Sequence, residues 1–247
     1  MATLAQLGGN STYRFLSLPA SARSAALGGA HISTRDSDLA LVYDNPALLD
    51  SNMRKHFSLT YINYLADINF GYAAYAREIG NWGTFGFGLQ FLNYGRFTEA
   101  DFTGVQTGEF SAGEYSLNIT YAYEFDSLFA VGGTFKTIYS SLTGEYQSFG
   151  NALDLGATYR SKNKRFSAAL VVKNLGIQLK PYVSGNRESL PLEIQAGISR
   201  KMKHAPFRVS ILARNLQKWD LTFDNPFQQD SDDEEEDDPF NFGEEDG

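Results

Sequence analysis

The run Glu114-Tyr115-Ser116-Leu117-Asn118-Ile119-Thr120-Tyr121-Ala122-Tyr123-Glu124 alternates without a break. Tyr115, Leu117, Ile119, Tyr121 and Tyr123 fall on one face, and Ser116, Asn118, Thr120 and Ala122 on the other. That period of two belongs to an extended strand. At about 3.3 Å per residue and a tilt of about 45°, a run of this length spans roughly 25 Å, the height of the apolar band of an outer-membrane barrel. Tyrosines stand near both ends, where amphipathic rings meet a membrane–water boundary. The polar face separates a membrane barrel from a soluble one. A soluble strand turns Lys and Glu to water, whereas Ser, Thr and Asn suit a hydrogen-bonded lumen and leave the large apolar side chains to lipid.

The pattern repeats on both sides. Residues 83–93 set Phe85, Phe87, Leu89 and Phe91 against Thr84, Gly86, Gly88 and Gln90, and residues 68–76 set Ile68, Phe70, Tyr72, Ala74 and Ala76 on an expected lipid face. Further alternating segments cover 57–64, 128–139, 152–160, 166–174, 192–200 and 207–214, which makes about nine antiparallel strands. Gly80-Asn81, Asp126-Ser127, Ser161-Lys162-Asn163-Lys164 and His204-Ala205-Pro206 punctuate them as turns. Longer loops are expected at 95–113 and 140–151. Their aromatics, Phe97, Phe102 and Phe110 above all, are the candidate anchors for a protein partner.

Ahead of the strands, residues 1–54 read as a plug segment with short helices. One helix is expected over 18–29, opened by Pro19 and closed by Gly28-Gly29, and a second over 38–43, ended by the bend at Asp44-Asn45-Pro46-Ala47. Residues 55–222 are then the strands of a transmembrane β-barrel, and 223–247 an acidic tail expected to be disordered. The first residues lack the basic start and apolar core of an export signal, so the chain reads as a mature start, with the signal peptide removed.

Composition narrows the function. The chain has 247 residues, 43% of them apolar and 14% aromatic, a mean hydropathy of -0.31 and no Cys, so disulfides, thiolate metal sites and cysteine nucleophiles are excluded. Eleven carboxylates and no Lys or Arg lie between Asp230 and Gly247, and setting them aside turns the formal charge of -8 into +3 for residues 1–229. No basic stripe of the kind that tracks a phosphate backbone is left, so nucleic acid is not an expected partner. Gly83-Thr84-Phe85-Gly86-Phe87-Gly88 continues as strand instead of opening a helix and is no phosphate loop. The segment from Gly108 to Gly113 has one residue too many before Ser111 for a nucleophile elbow, and His31, His56 and His204 complete no triad or metal spacing. The expectation is no enzyme, no cofactor and no metal. Lys136 and Asp154 fall on the polar faces of neighbouring strands and are expected to pair inside the lumen.

Two stretches carry a family resemblance: Ser21-Ala22-Arg23-Ser24-Ala25-Ala26-Leu27-Gly28-Gly29-Ala30 and Asn45-Pro46-Ala47-Leu48-Leu49. They resemble the amino-terminal signature of FadL-like outer-membrane barrels of the PorV and PorQ type. Leu7-Gly8-Gly9-Asn10, Asn93-Tyr94-Gly95-Arg96-Phe97, Gly108-Glu109-Phe110-Ser111-Ala112 and the run from Lys201 to Arg208 resemble the PorQ branch. The resemblance implies a plugged barrel in the outer membrane of Bacteroidetes-type bacteria. It also implies a place in the type IX secretion system, in the attachment complex that holds a PorZ-like surface protein beside PorU and PorV. Ala22, Arg23, Leu27, Gly28, Gly29, Asn45, Pro46 and Ala47 are then the plug motif. The same family also implies two alternatives, a channel for hydrophobic small molecules and a PorV-like shuttle for cargo signal domains. Family barrels continue through more strands, and an odd set leaves two edges unpaired in lipid, so the barrel is expected to be incomplete in this chain.

Overall fold

The computed structural model describes residues 11–64, 67–101, 103–143 and 146–217, which fall within one compact unit. Phe102, the Leu7-Gly8-Gly9-Asn10 piece and the acidic segment expected over 223–247 lie outside the described residues.

Nine strands follow one another: β1 (Phe57–Asn63), β2 (Asn69–Glu78), β3 (Thr84–Ala100), β4 (Gln106–Glu124), β5 (Phe129–Ser141), β6 (Gln147–Arg160), β7 (Phe166–Lys180), β8 (Glu193–Lys201) and β9 (Arg208–Ala213). They form a single sheet in sequence order, every neighbour antiparallel. The sheet is not closed, since among the described residues β1 pairs with β2 alone and β9 with β8 alone.

The two expected loops are largely strand. The β3–β4 ladder runs past Asn93, through Arg96↔Ser111 and Phe97↔Phe110, to Ala100↔Gln106. A tight turn then closes it, with the Asp101 carboxylate accepting the backbone N–H groups of Thr103 and Val105. Likewise β5 and β6 stay paired to Ser141↔Gln147. These extensions carry polar residues on both faces, so alternation fails to mark them, while cross-strand pairs such as Phe97 on Phe110 still favour the ladder. Between β7 and β8 lies a longer connection, residues 181–192.

One face of the sheet is lined by the N-terminal segment and the other is bare. On the bare face Leu59, Phe87, Leu117, Ile119, Tyr121, Phe135, Leu155, Leu170 and Ile198 are exposed, while Gln90, Ser116, Asn118, Thr134, Lys136, Asp154 and Gln195 are buried beneath the segment. β2 reverses the sequence-based assignment. Phe70 is fully buried, with Tyr72, Ala74 and Ala76, on the inner face, and Tyr75 points outward opposite Phe57 and Phe87. Both faces of β2 are apolar, so its own periodicity cannot orient it. Its register with β3 does, because Tyr75 must share a face with Phe87.

The N-terminal segment is compact but barely helical. Helix α1 covers only Ala22–Ala26 and begins after the expected opening at Pro19, since Ser21 is its N-cap, the Ser21 Oγ accepting the Ser24 N–H at 3.0 Å. Gly28 and Gly29 close it with φ of 93° and 94°, and the Gly29 N–H bonds back to Ser24 O, so the expected glycine cap is present. Leu39–Tyr43 forms a 3₁₀ turn capped by Asp38, and Pro46–Leu48 another capped by Asn45.

Candidate functional site

Missing side chains build the seat for the N-terminal segment. A Cβ at Gly132 of β5 would stand 2.6 Å from Pro46 C and O, and one at Gly156 of β6 would stand 2.1 Å from Asn45 Oδ1. The Asn45-Pro46-Ala47 turn therefore lies directly on the strand backbones, which only glycine permits. Asn45, wholly buried, locks the turn by donating Nδ2 to Ile32 O at 2.7 Å and accepting the Ala47 N–H at 2.9 Å. Gly150 makes room for the Tyr13 ring and Gly197 for Ile32 in the same way.

Beside this seat sits a buried polar cluster. Lys136 Nζ lies 2.7 Å from Asp154 Oδ2 and donates to Asn174 Oδ1 at 2.9 Å, and both partners of the ion pair are essentially without solvent contact. Asp154 takes its place through a bulge in β7. Two residues there, Lys173 and Asn174, face one on β6, Asn174 has φ 57°, and its backbone N–H, freed from the ladder, donates to Asp154 Oδ1 at 2.7 Å. The ammonium groups of Lys136 and Lys173 lie 4.8 and 4.6 Å from the centre of the Tyr43 ring, so the 3₁₀ turn of the plug engages two cations of the wall. The Tyr43 hydroxyl is within 2.6 Å of Leu16 O and 2.7 Å of Gln90 Oε1, while Gln90 Nε2 donates to Phe15 O.

A second set of charges ties the segment to the end of the sheet that carries the turns after β2, β4, β6 and β8. Arg23 bonds Asp36 at 2.7 Å and Asp38 at 2.8 Å, and Arg208 of β9 grips both oxygens of Asp36. Burial works against the Asp36 carboxylate, but the hydrogen bonds from Arg208 and Arg23 outweigh it and hold its pKa below the usual value. Asp44 is fully buried, which raises its pKa despite the Lys173 charge, the Ser24 hydroxyl and the His31 N–H. Burial lowers the His31 pKa, helped by Arg23 and Arg208, so His31 is neutral near pH 7 and its ring bonds Thr34 Oγ1. Arg35 pairs with Glu124 at the end of β4, and its Nε and Nη1 are buried without a partner among the described residues.

The two halves of the plug motif thus part company. Asn45, Pro46 and Ala47 are buried in the seat, whereas Ala22, Leu27 and Gly28 are exposed and Arg23 and Gly29 half-buried at the rim. Phe97 and Phe110 stack at 5.2 Å on the β3–β4 extension, far along the sheet from that seat. The expected Lys136–Asp154 pair is present. Sequence reasoning missed Tyr43, Lys173 and the glycines 132, 150, 156 and 197. The glycines' available signal was their place on the polar strand faces, Gly132 on β5, Gly150 and Gly156 on β6 and Gly197 on β8, among larger residues.

Fold and site together define a class: an antiparallel all-β meander whose inner face is occupied by the segment that precedes it in sequence. The chain belongs to the uncharacterised protein family UPF0164, which it matches over residues 2–213, and so through every described strand. No curated protein matches it.

Proposed function

We propose that this chain forms the wall and plug of an outer-membrane β-barrel, and that it serves as a plugged conduit for small apolar molecules. The carrying observation is the lopsided inner face. Beneath the plug, β2 presents Phe70, Tyr72, Ala74 and Ala76 to Phe15, Leu16, Leu39 and Tyr43, whereas β4 to β8 present mainly hydroxyls, amides and the Lys136–Asp154 pair, with Ile138 and Val171 as apolar exceptions. A plug that withdraws opens a lane with one apolar wall and one polar wall. Such a surface suits an apolar or amphipathic solute better than an ion, and it calls for no covalent chemistry. The bare outer face, with its exposed aliphatic and aromatic side chains, supports a lipid environment.

The test is solute flux through vesicles holding the full chain or a variant lacking residues 1–54. Faster passage of an apolar dye in the folded variant is expected, and equal flux would overturn the conduit. A second reading, the scaffold of a secretion attachment complex, draws support from the stack of exposed Phe97 on half-buried Phe110 near the tip of β3 and β4. Phe97→Ser with Phe110→Ser should then release a PorZ-like surface partner from native membranes, and undiminished retention would remove that reading.

A further inference from the structure

Cations gather on one stretch of the sheet margin. The turn after β6 carries Lys162, Lys164 and Arg165, and the end of β8 with its turn carries Arg200, Lys201, Lys203 and His204, all exposed. From residue 160 to 208 the acidic side chains are Glu188 and Glu193, both towards the opposite end of β7 and β8. Arg165, Arg200, Lys201 and Lys203 form no ion pair among the described residues, unlike Arg23, Arg35 and Arg208 at the same end of the sheet. These free cations border a cavity of about 840 Å³ whose floor is apolar: Phe166, Met202, Ala205 and Val209. Register places Phe166 and Val209 on the bare face, since Phe166 pairs with Arg200 and Arg200 with Val209, in one outward row near the turns.

We propose that this cavity binds an anionic phospholipid of the bilayer leaflet at the end of the sheet that carries the turns after β2, β4, β6 and β8, its phosphate among Arg165, Arg200 and Lys203 and its acyl chain over Phe166 and Val209. The proposal rests on the membrane reading given above. Charge complementarity selects the occupant, because free Lys and Arg at the depth where strands leave lipid attract anionic headgroups, each contributing roughly a five-fold preference. An apolar floor continuous with the lipid-facing side chains favours a lipid over a free anion. The chain's own carboxylate-rich run is the competing source of charge. β9 leads away from this margin, so the chain leaves the described residues at the other end of the sheet.

The experiment inserts the full chain into phosphatidylcholine vesicles with and without phosphatidylglycerol and measures the relative association of spin-labelled forms of the two lipids. A preference for phosphatidylglycerol is expected, falling at least five-fold in the triple variant Arg165→Gln, Arg200→Gln, Lys203→Gln and unchanged in Lys55→Gln with Arg77→Gln. The single variant Lys203→Gln, in an exposed turn, serves if the triple variant fails to insert, and a smaller drop is expected from it. Insertion with no preference, or a preference that the variants keep, would overturn the lipid site and leave the membrane reading standing. A preference that emerges only after removal of residues 218–247 would likewise overturn it, the cations then being engaged by the chain itself. Insertion into neither vesicle would remove both readings together.

Discussion

Gly132 shows how far a single position is set by a segment remote in sequence. In Gly132→Ala the new methyl meets the carbonyl of Pro46, backbone that cannot swing aside, so the plug turn must lift off β5. A loss of about 1–3 kcal/mol is expected, read as faster proteolysis of residues 11–54 with the strands intact. The Lys136–Asp154 pair behaves differently. Lys136→Met leaves a carboxylate buried and unpaired and should cost about 3–5 kcal/mol, whereas Lys136→Met with Asp154→Leu should recover much of that in denaturant titrations. If the double variant were no better than the single, the cluster would be stabilising the fold outright. This pair is legible in the sequence because each charge interrupts a polar strand face that otherwise holds neutral residues. Tyr43 is not legible. Nothing in a tyrosine within an apolar run announces that two lysines from strands about a hundred residues away will flank its ring.

At the scale of the element, strand existence is written in the period, and strand orientation only where the two faces differ in polarity. β4 differs, so its faces can be read directly: Ile119 is exposed and Asn118 buried. Ile119→Arg should therefore weaken folding into bilayers by about 2–4 kcal/mol while Asn118→Leu perturbs only the interior; normal folding of the first and failure of the second would place lipid on the other face. β2 does not differ. With Phe70, Tyr72 and Ala74 on one face and Gly71, Ala73 and Tyr75 on the other, only pairing with β3 resolves it. The extension of β3 and β4 escapes for the opposite reason, since Arg96, Thr98 and Glu99 give no apolar stripe to follow. The plug helix shrinks to five residues because its N-cap and glycine stop stand close together.

Over the whole molecule, two kinds of contact hold the structure. Strand pairs join neighbours in sequence, as in a meander, whereas the N-terminal segment reaches Ser148, Ser199 and Arg208 across 135, 166 and 172 residues. The sheet can thus grow by short loop closures, but every long closure belongs to the first residues of the chain. Bringing distant partners together is slow, because chain entropy is lost before the contact forms. What is synthesised first is consequently finished last. The leading segment must wait until β8 and β9 exist before Ser33 meets Ser199 and Asp36 gains Arg208 beside the local Arg23. In refolding, protease protection of residues 11–54 is expected to lag behind the circular dichroism of the sheet, and simultaneous appearance would contradict that order. The seat is then a clock as well as a stopper: the sheet can be assembled and its inner face still stand bare for an interval set by the time the leading segment takes to come home.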